Sequence, residues 1–89
     1  MSGKQLKILQ QQAIHAFPEL RARLEVKFAD SPSAFACALS ELLTCSNSLP
    51  FVQGILNEYG ADAREDFVES LLDWAIKRGQ HWTVLMRTW

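Results

Sequence analysis

Apolar residues recur at spacings of three and four along almost the whole chain, and they nowhere alternate over the roughly four to eight residues that mark a half-buried strand. Leu6, Leu9, Ala13 and Phe17 set the pattern. Leu20, Leu24 and Phe28 repeat it, followed by Phe35, Leu39 and Leu42. Phe51, Val52, Ile55, Leu56 and Tyr59 form the next arc, and Phe67, Val68, Leu71, Trp74 and Ala75 the one after. Each arc can bury one stripe of a helix and nothing else, so the chain is expected to be all-α. Its 89 residues suit one domain, 1–89, with one core.

Proline, glycine and capping residues divide the pattern. Pro18 suits the first position of a helix, where a missing N–H costs little, so a first helix is expected over 4–16 and a second from Pro18. Ser31 and Pro32 open a third, which "CSNS" ends near Cys45. Ser48, Leu49 and Pro50 start a fourth that stops at Gly60. Asp62 and Glu65 stand in capping-box spacing and open a fifth, Ala63 to Arg78, ended by Gly79. A sixth, from Gln80, carries Trp82, Leu85, Met86 and Trp89, with Trp82 expected in the core as a lid. Short connections then predict a compact six-helix antiparallel bundle.

Several function classes lose support at this level. A formal net charge of −1 is a poor footprint for nucleic acid. "QHWTVLMRTW" after Gly79 offers a helix-turn-helix reader mainly Gln80, His81 and Arg87, so DNA binding ranks third. No apolar run reaches membrane-spanning length, and "MSGKQLKILQQQ" is too polar for a secretory signal, which points to the cytoplasm. Cys37 and Cys45 on one helix lie about 12 Å apart, too far to bridge, and read as reduced core thiols. His15 and His81 lack companions at metal-ligand spacing, and no phosphate-cradling glycine motif occurs. Cys45 carries no mark of an activated nucleophile. The chain therefore reads as a non-enzyme with no cofactor and no metal.

Charge is segregated behind the near-neutral total. Residues 1–29 carry Lys4, Lys7, Arg21, Arg23 and Lys27 against Glu19 and Glu25, a balance of +3. Residues 30–76 carry eight carboxylates against Arg64, a balance of −7, and residues 77–89 restore +3 through Lys77, Arg78 and Arg87. Asp62, Asp66, Glu69 and Asp73 step along one helix face as an acidic ridge. Arg23 with Lys27, and Lys4 with Lys7, form cationic counterparts. Opposite patches in different places favour head-to-tail association of like molecules. The expected interface is therefore Asp66, Glu69 and Asp73 on one copy meeting Arg23, Lys27, Lys4 and Lys7 on another.

Two stretches carry a family resemblance. "LQQQAIHAFPELRARLEVKF" contains Ala16-Phe17-Pro18, and "DFVESLLDWAIKRGQHWTVL" contains the run Leu71 to Gly79 with Trp74 and Ala75. Both resemble the effector-associated domains of bacterial conflict systems, small death-domain-like modules. The resemblance implies a death-fold-like six-helix bundle without catalysis, excised from or recruiting a longer effector protein. It implies a homotypic adaptor linking sensor and effector in bacterial immunity, with itself or a similar death-like domain as partner. The alternative, from another class, is a small helical inhibitor or regulator, phage-borne, that binds a host protein through an apolar patch near Trp89.

Overall fold

A computed structural model describes residues 3–87, and within them all side chains except those of Asp62, Arg64 and residues 82–87. The described residues form four long helices and one single turn: α1 Gly3–Lys27, α2 Pro32–Asn47, α3 Leu49–Tyr59, α4 Ala61–Glu65 and α5 Phe67–Arg87. These elements are all helical, and no strand occurs among the described residues. The six-helix death-fold bundle is therefore corrected, because two expected breaks do not occur.

The first absent break is at Pro18, which lies inside α1 on its exposed side. Without an N–H it leaves the Ile14 carbonyl without its helical donor, a local cost of about 3 kcal/mol. A stripe running unbroken past the proline offsets this. Ala13, Leu20 and Leu24 are buried, and Leu6, Leu9, Ala16 and Phe17 pack against the core beside them. Ending the helix at Ala16 would put the two halves of that stripe out of register.

The second is at Gly79, where α5 continues without a turn. Here glycine serves close approach. A Cβ at position 79 would stand 2.7 Å from Phe28 Cζ and 3.0 Å from the Ala34 carbonyl oxygen. Buried small residues line the same seam, with Ala34 and Ala38 on α2 and Ala75 on α5. Small side chains let helix axes come close, and α2 and α5 form the most extensive helix pair of the fold. The inward row of α2 is accordingly Ala34, Ala38, Leu42 and Cys45, with Phe35 only partly buried.

Elsewhere the capping chemistry is mixed. Ser48 caps α3 by accepting from the Phe51 amide at 3.3 Å. Gly60 closes α3 with φ of 63° and donates its N–H to the Leu56 carbonyl at 2.7 Å. Ser31 makes no side-chain cap bond at the start of α2, and Pro32 at its first position leaves one fewer free N–H there. Asp62 lies within α4, and it is Asp66 that caps α5, accepting from the Glu69 amide at 3.2 Å. The bend between α2 and α3 is 111°, short of the reversal expected between neighbours. Gln10 of α1 donates to the carbonyls of Ser46 at 3.1 Å and Cys45 at 3.4 Å, closing the C-terminal end of α2. Among the described residues no single helix is long and apolar enough to cross a membrane.

Candidate protein-binding face

Trp74 faces outward from α5 into the angle between α2 and α3, half-buried. Phe51, from the first turn of α3, meets it edge-on with ring centroids 5.7 Å apart and planes at 85°. Tyr59, at the end of α3, lies 6.2 Å away at 64°. Polar tips fix two of these rings, Trp74 and Tyr59. The indole N–H of Trp74 donates to Glu41 Oε2 at 3.2 Å, and the Tyr59 hydroxyl donates to Asp73 Oδ2 at 2.9 Å. Cations cover the same two: the Arg78 guanidinium stands 4.2 Å from the Trp74 centroid and the Lys77 ammonium 5.3 Å from that of Tyr59. Helical spacing explains the set, because Arg78 follows Trp74, and Lys77 follows Asp73, by one turn.

Electrostatics tie the rim together. Lys77 and then the Tyr59 hydroxyl hold the Asp73 carboxyl below the usual carboxylate range, and Asp73 in turn pushes Lys77 up. Partial burial, followed by the hydrogen bond to Asp73, pushes the Tyr59 phenol up. Beside the rings runs an open groove of about 550 Å³ lined by Glu58, Tyr59, Asp66, Glu69, Ser70, Asp73 and Lys77. A smaller hollow of about 230 Å³ adjoins it, sharing Glu58, Tyr59 and Lys77 and reaching Trp74, Arg78 and His81.

The residues expected at an interface between copies are distributed unevenly. Asp66 is engaged in capping α5. Glu69 pairs within the same chain with Arg23, which donates from Nη1 at 2.6 Å and Nη2 at 3.5 Å. That hydrogen bond pushes the Arg23 guanidinium up. Asp73 pairs with Lys77 at 3.1 Å. The structure thus brings Arg23 to the ridge itself, while Lys4, Lys7 and Lys27 stand exposed on α1 with no ion pair among the described residues. Trp89 and the side chain of Trp82 lie outside the described residues.

Of the thiols, Cys45 is fully buried and pushed up to about 12 by desolvation. Cys37 is partly buried, which with Glu41 nearby pushes it up, and its thiol lies 3.7 Å from the Arg78 carbonyl oxygen. His15 and His81 are exposed, and among the described residues no three His, Cys, Asp or Glu side chains gather as a metal site. Because α5 runs straight through Gly79, the turn that a helix-turn-helix needs there is absent.

Sequence reasoning assigned Phe51, Tyr59 and Trp74 to packing and missed Glu41 and Arg78. The available signals were the four-residue step from Trp74 to Arg78 and the eight-residue step from Phe51 to Tyr59. Compared with protein-family models, curated proteins and solved structures, the chain matches none. The likeness to effector-associated domains therefore rests on its own residues, and Ala16-Phe17-Pro18 lies within α1 rather than between helices.

Proposed function

We propose that the chain is a small helical regulator or inhibitor that binds a partner protein through the Phe51, Tyr59 and Trp74 face. One observation carries the reading: three half-buried rings from two helices, of which Trp74 and Tyr59 are held by polar tips and covered by Arg78 and Lys77. Tryptophan, tyrosine and arginine are the residues most enriched where interfaces gain their energy. Rings already fixed by Glu41 and Asp73 lose little freedom on binding, which favours affinity. The hollow lined by Trp74, Arg78 and His81 offers a recess for an apolar or aromatic anchor.

Site-specific photo-cross-linking in the native host tests this. A photoreactive residue at Arg78 or Glu58 is expected to give a discrete adduct with another protein. The same residue at Arg21 or Val26 on α1 should give none, and Trp74→Ala or Arg78→Glu should remove the adduct. Adducts arising equally from both places would refute the proposed face. Adducts between two copies of the chain would favour homotypic assembly through Glu69 and Asp73 instead. That assembly should loosen between about 50 and 500 mM salt, whereas a ring-centred contact should not.

A further inference from the structure

Ser70 is the one buried polar side chain among the described residues, 9% exposed, and it lines the groove between α3 and α5. A helical serine commonly folds its hydroxyl back onto the carbonyl four residues earlier. Ser46 does so to Leu42 at 3.1 Å, and Thr44 to Ser40 at 2.9 Å. Among the described residues the Ser70 hydroxyl has no hydrogen-bond partner, yet no sealed side-chain polar atom is left unsatisfied. Its residual exposure therefore opens into the groove. Four carboxylates and one ammonium surround it there. Glu58 has no ion pair among the described residues, and Asp66 uses one oxygen for its cap. Arg23 on Glu69 and Lys77 on Asp73 show the same wall accepting cations.

We infer that this groove receives an arginine side chain of the partner protein, held by the Ser70 hydroxyl and the Glu58 and Asp66 carboxylates. A guanidinium fits better than an ammonium, since its planar fork supplies several donors to acceptors on different sides. Its apolar stem would lie along Tyr59. The inference rests on the reading that a protein docks on the neighbouring Trp74 face, which shares Glu58, Tyr59 and Lys77 with the groove.

The test titrates acetyl-Gly-Arg-Gly-amide into isotope-labelled full-length chain and follows amide resonances. Saturable shifts are expected at Glu58, Tyr59 and Ser70, weaker with the lysine analogue and absent with the uncharged citrulline analogue. Ser70→Ala is expected to weaken binding by about tenfold, as loss of a hydrogen bond to a charged group implies. Glu58→Gln, an exposed change with little folding risk, should weaken it as well, and circular dichroism checks both variants. Shifts that fail to saturate, or affinity unchanged in both variants, would overturn the assignment. Loss of peptide binding with Trp74-dependent cross-linking intact would remove the guanidinium site alone. Peptide binding retained without any cross-link would uphold the groove and remove the docking face.

Discussion

Gly79 shows how one residue type can carry opposite meanings. By its place after Lys77-Arg78 it reads as a helix stop, yet it sits in mid-helix against Phe28 and the Ala34 carbonyl. Gly79→Ala raises helix propensity but overfills the α2–α5 seam, so unfolding in urea should show a loss of about 1–3 kcal/mol. Asp73 makes a pH prediction of similar locality. Its folded pKa is lowered, so its contribution is present above the unfolded value and lost as pH falls through the folded one. Acid titration below about pH 4 should therefore cost the native chain more than Asp73→Asn. Tyr59 and Lys77 are raised, so their contributions are full below their unfolded values and fade as alkaline pH passes the folded ones. The thiols should also differ. Cys37 is expected to alkylate in the folded protein, and Cys45, fully buried, only after unfolding, which mass spectrometry distinguishes.

At the scale of elements, the length of α1 depends on burial winning over a local defect. Pro18 is exposed, so Pro18→Ala restores a donor to the Ile14 carbonyl and clashes with nothing inside the bundle. Stability should rise by about 1–3 kcal/mol, read from the urea midpoint. The row Ala13, Phe17, Leu20, Leu24 keeps its spacing across the proline, but spacing by itself does not weigh burial against a missing hydrogen bond, and the break expected at Pro18 does not occur. The stripe of α5 steps likewise from Ala75 to Gly79. What the spacing could not supply was the partner surface. That α2 turns Ala34 and Ala38 inward, rather than Phe35, depends on how closely α5 approaches. The Gln10 bridge to the end of α2 was equally illegible, since it links residues 35 and 36 apart in the chain.

Across the molecule, 42 Å in its longest dimension, charge segregated along the sequence is brought together at one place, while Lys4, Lys7 and Lys27 stay apart from the acidic ridge's ion pairs. Arg23 and Glu69, 46 residues apart, meet between α1 and α5. Exposed pairs of this kind contribute little to stability. Glu69→Lys should leave the urea midpoint nearly unchanged, and exchanging both partners should return it to the native value. A large loss in the single variant that the exchange repairs would mark the pair as a fastening between helices.

The sequence by itself determined that the described residues are helical, which residues form the buried stripes of α1, α3 and α5, and that Ser48 and Gly60 bound α3. Those properties depend on neighbours within a turn or two, where spacing and cap chemistry act directly. Tertiary structure alone decided that Pro18 and Gly79 lie inside helices, that Arg23 faces Glu69, and that Phe51, Tyr59 and Trp74 share one surface. Each outcome weighs a local cost or charge against packing between distant segments, and that balance exists only once the helices are in contact.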